Sequence, residues 1–204
     1  MSSCDVTLKY LSVYGSGRQL ELAAEFINYI LQRAKEEGDD VYEKAKKIIE
    51  EGKARGSLTL KGFVKEVEVD GRRHVVKVID GGAVEEDRDG KTLLRIRITA
   101  EVGRVEGEHI VDRVVREYTI TYGKYEDDNK NRGFAYASAN VPGGREADAE
   151  RFSALVKALT GKEPWIQRMK DGRIKMACGR EHLDGFRRYA ELADAIENWL
   201  ERSD

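Results

Sequence analysis

Between Ser57 and Val141 the chain alternates apolar and polar side chains with a period of two, punctuated by Asp70-Gly71 and Asp89-Gly90. A period of two places alternate side chains on opposite sides of a strand, and Asp-Gly supplies the positive φ of a two-residue hairpin turn. The pattern predicts an antiparallel sheet with one wet face. Leu94, Ile96, Ile98 and Ala100 are expected inside against Arg95, Arg97 and Thr99 outside. Tyr118, Ile120 and Tyr122 are likewise set against Thr119 and Thr121. Phe134 to Val141 is a further strand, with Ala135, Ala137 and Ala139 making a face close enough for a helix.

The flanking text has other periods. Val6 to Tyr14 reads as a strand stopped by Gly15-Ser16-Gly17, and from Gln19 apolar residues recur at three and four, so a helix is expected up to Gly38. A second helix starts at Asp40 with Glu43 three residues on and stops at Gly52. After Pro142-Gly143-Gly144 come a helix stopped by Gly161, a hairpin around Asp171-Gly172, and a last helix from about Arg180 to Glu201. The expected fold is α+β. An antiparallel β-sheet carries a pair of N-terminal helices and two C-terminal helices flanking a β-hairpin, with the helices packed on one face. With 204 residues, one domain is the default, with sub-regions 1–56, 57–141 and 142–204.

Charge bounds the function. Asp, Glu, Lys and Arg make up 36% of the chain, the composition of hyperthermophile proteins, in which ion-pair networks stabilise more as temperature rises. The net charge of -2 excludes a whole-protein field that would draw it to nucleic acid or an anionic membrane, so such binding needs a local patch. The hydropathy pattern shows neither a signal peptide nor a membrane span, and a cytoplasmic location with no membrane partner is expected. Cys4 and Cys178 form no CxxC pair, and a disulfide between them stays open.

One patch stands out. If Asp171-Gly172 is a two-residue turn, Lys170 faces Arg173, Arg168 faces Lys175, and Trp165 faces Cys178. Arg168, Lys170, Arg173 and Lys175 then crowd one face of the ribbon tip, where like charges repel. A phosphate-contacting ribbon explains that crowding, with Arg187 and Arg188 of the next helix as additions. The alternative is a solvated edge guarded by cations and balanced by Glu163, Glu181 and Asp184.

Other signals carry less. Gly15-Ser16-Gly17 has Leu20 where a dinucleotide loop needs its third glycine, and Thr160-Gly161-Lys162-Glu163 lacks the rest of a phosphate loop. Asp127 to Asn131 resembles a calcium loop, but Arg132 takes the glycine position. His74, His109 and His182 show no metal-ligand spacing. No cofactor, metal site or catalytic set is expected. Trp199, near the chain end, is read first as a packing anchor and second as an exposed contact.

The C-terminal text is distinctive: EYTITYG at 117–123, PGGREADAER at 142–151, KALTGKEP at 157–164 and CGREHLDGFRRYAELADAIENWLE at 178–201. It resembles the multicopy Pyrobaculum repeat 2b family of crenarchaea over about the last 90 residues. The resemblance implies the behaviour of a mobile element and carries over no catalytic residue. By topology alone, the closing helix, hairpin and helix are similar to half of a LAGLIDADG homing-endonuclease unit, whose β-ribbons touch DNA. That family's glycine-rich helix end with its metal-binding acid is missing, since Tyr189 to Ile196 reads as an amphipathic helix interior. The leading expectation is therefore a non-catalytic nucleic-acid-binding module. The second is a protein-interaction or self-assembly module using the wet sheet face or an exposed aromatic such as Trp199.

Overall fold

The computed structural model describes residues 29–125 and 134–202, and the chain divides into two compact units, 1–58 and 59–204. The expected strand at 6–14, the Gly15-Ser16-Gly17 turn and the calcium-like loop at 127–131 lie outside the described residues.

In the first unit, residues 29–37 are helical, and Gly38 at φ 138° separates them from α1 (Asp39–Ala54). Asp39 and Asp40 occupy the first turn of α1, where negative charge complements the helix dipole.

The second unit is a mixed α+β assembly on a seven-stranded antiparallel sheet. Its strands are β1 (Val64–Val69), β2 (Arg72–Arg88), β3 (Lys91–Glu106), β4 (His109–Tyr125), β5 (Phe134–Asn140), β6 (Trp165–Arg168) and β7 (Ile174–Cys178). The helices are α2 (Glu146–Thr160), α3 (Arg180–Phe186) and α4 (Ala190–Glu201). Strand order is β1-β2-β3-β4-β5-β7-β6. Asp70-Gly71 and Asp89-Gly90 are the expected two-residue turns, closed by Val69 facing Arg72 and Arg88 facing Lys91. All four turn residues have positive φ, between 49° and 75°.

Alternation decides the core. Leu94, Ile96, Ile98, Ala100, Tyr118, Ile120, Tyr122 and the alanines of β5 are buried, as their spacing predicts. Against this side lie α2, touching β1, β2, β3 and β7; α4, touching β2 and β3; and α3, touching β5 and β7. Tyr118 meets Phe152 with ring centroids 4.9 Å apart, and Tyr122 meets Trp199 at 6.4 Å. Gly161 ends α2 in the left-handed conformation, its N–H donating to the Lys157 carbonyl at 2.8 Å.

Three expectations need correction. The last helix is two, because the chain turns at Arg187 to Tyr189, where Tyr189 is extended and its hydroxyl donates to the Leu159 carbonyl at 3.1 Å. Tyr189 fills the core there, and Ala190, expected inside, is exposed. For Trp199 the packing anchor holds and the exposed contact falls: it is fully buried, and its indole N–H donates to the Thr92 carbonyl at 2.8 Å.

The third concerns the cationic hairpin. Asp171-Gly172 is not a two-residue turn, since Arg168 faces Ile174, Gln167 faces Lys175, Ile166 faces Met176 and Trp165 faces Ala177. Gly172 donates to the Met169 carbonyl at 3.0 Å and Met169 to the Arg173 carbonyl at 2.8 Å, which makes a three-residue loop with Gly172 at φ 82°. Asp171 holds this form, accepting the Arg173 backbone N–H at 3.1 Å and its guanidinium Nε at 2.8 Å. One residue of slip exchanges the faces. Arg168 therefore shares a side with buried Ile174, Lys175 lies on the opposite side beside Gln167, and the four-cation face does not form.

Candidate interaction surface

The slip also redirects the cations chemically. Arg168 reaches the start of α2 and makes a paired contact to Glu146, Nε to Oε1 at 2.8 Å and Nη2 to Oε2 at 2.9 Å. Those bonds hold the Glu146 carboxyl below its usual range. Arg173 is tied to Asp171, and buried Arg187 is tied to Asp184 at 2.9 Å and to Glu197. Three of the six predicted contacts thus spend their charge on the protein itself. Lys170, Lys175 and Arg188 have no carboxylate within 4.0 Å among the described residues. They do not share a surface: Lys170 is at the hairpin tip, Lys175 on the sheet side facing away from Ile174, and exposed Arg188 in the link between α3 and α4.

The densest ion cluster is a fastening. Asp148, buried in the first turn of α2, accepts from Arg145 at 2.9 Å and Arg151 at 3.2 Å, with Arg116 of β4 at 3.6 Å. Burial works to raise its pKa, but the Arg145 hydrogen bond and the three guanidinium charges outweigh that and hold the carboxyl below its usual range. Arg116 also donates to the Pro142 carbonyl at 2.6 Å, and Gly143, at φ 89°, leaves no room for a Cβ beside Arg116 and Asp148. The Pro-Gly-Gly stretch is thereby locked over β4.

The groups suited to acid, base or nucleophilic chemistry point inward. His182 is fully buried, accepting the Gly179 N–H on Nδ1 at 3.2 Å and donating from Nε2 to the Glu163 carbonyl at 3.1 Å. His74 is buried, with Nδ1 3.1 Å from the Arg72 carbonyl oxygen, and burial lowers its pKa. Cys178 is a free buried thiol whose pKa burial pushes up to about 12. Among the described residues, no three His, Cys, Asp or Glu side chains are gathered to hold a metal ion, and no helix is long and apolar enough to cross a membrane.

What the second unit presents outward is the other side of its sheet. The register brings Val64 of β1, Val84 of β2, Val115 and Tyr125 of β4 to this side, at 58%, 50%, 55% and 48% exposure. Tyr125 lies across Gly123, where a Cβ would stand 3.1 Å from its ring. Between the apolar positions, Glu66, Asp80, Glu86, Glu101 and Glu117 interleave with Arg73, Lys77, Arg95 and Arg97. Arg95 and Arg97 both turn to Glu86, at 2.8 and 3.7 Å.

On the β2 side a shallow cleft of about 370 Å3 is bounded by Asp80 to Val84, Arg95, Arg97, Thr99, Glu117 and Glu191. Glu191, in the first turn of α4, accepts the backbone N–H groups of Leu60 and Lys61 at 2.9 to 3.2 Å. Burial acts to raise the Glu191 pKa, and these bonds prevail and lower it. The sequence reading passed over this cleft. Its available signal was Gly81-Gly82 inside a strand, which marks a bulge or a close approach, and β2 does bulge between Val78 and Asp80. Comparison of the chain with protein-family models, with curated proteins and with solved structures finds no match.

Proposed function

We propose that the chain is a non-catalytic protein-interaction module that recognises its partner through the side of the seven-stranded sheet opposite the helices of its own unit. The observation that carries this reading is the set of half-exposed apolar side chains, Val64, Val84, Val115 and Tyr125, on the side opposite the helices. Apolar side chains set singly among charges of both signs suit the mixed polar and apolar surface of another protein. It suits a polyphosphate poorly, because nearly every cation on it has an acid beside it.

The nucleic-acid reading keeps one specific support, Lys170 and Lys175, which have no carboxylate within 4.0 Å among the described residues. With two phosphate contacts, the slope of log affinity against log salt would be about -2, against about -5 for all six predicted cations.

The test pairs a variant with two ligands. Val64→Glu and Val115→Arg together replace two of the four apolar side chains by charge, yet each new charge meets its opposite across the ladder, in Lys77 and Glu101, so the sheet is retained. A partner protein captured by the wild type, identified by mass spectrometry and titrated directly, is expected to bind the double variant at least about tenfold more weakly. A labelled oligonucleotide that binds both proteins alike, with binding lost on Lys170→Glu and Lys175→Glu, would overturn the proposal in favour of nucleic acid.

A further inference from the structure

Among the described residues, the outer edge of β2 is paired over only half its length. β1 covers it as far as Lys77, which faces Val64. Beyond that, Gly62 donates to the Val78 carbonyl at 3.0 Å and the Val78 N–H donates to the Phe63 carbonyl at 2.9 Å, so Val78 bonds away from β3. Ile79 is the extra residue of the bulge, and at the far end Arg88 closes the turn facing Lys91. Both ends fix the same alternation: Asp80, Gly82, Val84, Glu86 and Arg88 bond to β3, while Gly81, Ala83, Glu85 and Asp87 turn their N–H and C=O groups outward. No described residue bonds to those outward groups.

Free edges are ordinarily guarded by charge, proline or a cover, because an unpaired row of N–H and C=O groups is a template for another strand. The charges here begin at Glu85, and Gly81-Gly82-Ala83-Val84 carries none. This uncharged stretch, with Leu60 packed on the helix side of Gly81, opens on the cleft. Within the cleft, Arg95 and Arg97 are committed to Glu86, Asp80 and Glu117 have no cation within 4.0 Å among the described residues, and Glu191 is held by backbone N–H groups. The cleft therefore holds surplus negative charge beside open main-chain groups.

We infer that the β2 edge at Gly81–Asp87 is a strand-addition site for an extended, basic segment of a partner protein. The inference rests on the protein-interaction reading and specifies its partner. Main-chain bonds supply the affinity, and side chains at every second position supply the choice. On the side opposite the helices, a lysine or arginine lies beside Asp80, the next residue passes over Gly82, where a built Cβ has no atom within 4 Å, and the one after meets Val84. The recognised pattern is basic, then bulky, then apolar at alternate positions.

The probe is the fluorescein-labelled peptide Lys-Thr-Tyr-Thr-Val-Thr-Lys, which presents that pattern from its amino end and a lysine followed by two apolar side chains from its carboxyl end, titrated into the full chain by anisotropy. Amide hydrogen exchange is expected to slow at Gly81, Ala83 and Glu85, and replacing both probe lysines by glutamate is expected to weaken binding about tenfold or more. Ala83→Pro removes an N–H that β3 does not use, so it blocks strand addition and spares the ladder. Asp80→Lys is the second variant, reversing the preference between the two peptides with no backbone change. Unaltered exchange at these amides, or probe binding untouched by both variants, overturns the site. So does a doubled mass by light scattering with the same amides protected without peptide, because the edge is then taken by a second copy. A partner that binds Ala83→Pro normally but loses the Val64→Glu, Val115→Arg variant leaves the protein-interaction reading standing and excludes this edge.

Discussion

Individual residues in this protein are fixed chiefly by what surrounds their charge. His74 was singled out in the sequence only to be passed over for lack of metal spacing, and the structure makes it a buried ring between β2 and the charges of α2. Burial is the main cause of its lowered pKa, opposed by the Arg72 carbonyl and Glu150 and reinforced by Arg151 and Arg104. The unfolded ring takes up a proton near the ordinary histidine value of 6.5, which the fold resists, so the unfolded state binds more protons below that pH and stability falls. Asp148 and Glu191 act lower on the scale. Their folded values lie below the ordinary carboxylate values of 3.8 and 4.5, so their stabilisation is present above those values and is lost as pH falls through the depressed ones. Denaturant midpoints measured against pH are expected to decline in two limbs, one starting near pH 6.5 and one below about 4.5. His74→Gln should remove the first limb alone, and a first limb that survives would count against burial of the neutral ring.

At the scale of elements, two junctions show why equal text gives unequal structure. Asp-Gly makes a two-residue turn after Val69 and after Arg88, and a three-residue loop in the β6–β7 hairpin. The dipeptide permits either. The outcome agrees with the contacts of β6: Arg168 reaches Glu146 from the side it now occupies, and Ile166 joins buried Met176 on the side of the helices, where a two-residue turn would have put Gln167. The second junction is the break between α3 and α4. Apolar spacing runs across it without a pause, and the interruption comes from contact: at Gly185 a Cβ would stand 2.6 Å from Cα and Cβ of Thr160, at the end of α2. Gly185→Ala must push two helices apart and is expected to cost about 2 to 3 kcal/mol. Gly82→Ala, in open space on β2, should be neutral or slightly stabilising, through β propensity of well under about 1 kcal/mol. Paired thermal denaturation of the two variants checks both, and equal effects would remove the close-approach argument.

For the molecule as a whole, the compact unit from Thr59 onward contains the sheet, the three helices over it and the aromatic core of Tyr118, Tyr122, Phe152 and Trp199. Residues 59–204, produced without 1–58, are expected to melt in one cooperative transition with the near-ultraviolet dichroism of a buried tryptophan. A broad transition, or none of that signal, would show that the core needs residues from outside the unit. By itself the sequence determined the α+β class, the strands of the central sheet, two of the three Asp-Gly turns and the buried residues named on β3, β4 and β5. Those follow from periodicity and local backbone preference, which short stretches of chain express alone. The tertiary structure decided the register of the last hairpin, the split of the last helix, the partners of the predicted cations and the edge of β2 that the described residues leave unpaired. Each of these depends on which groups from distant parts of the chain come within reach of a hydrogen bond, an ion pair or a van der Waals contact.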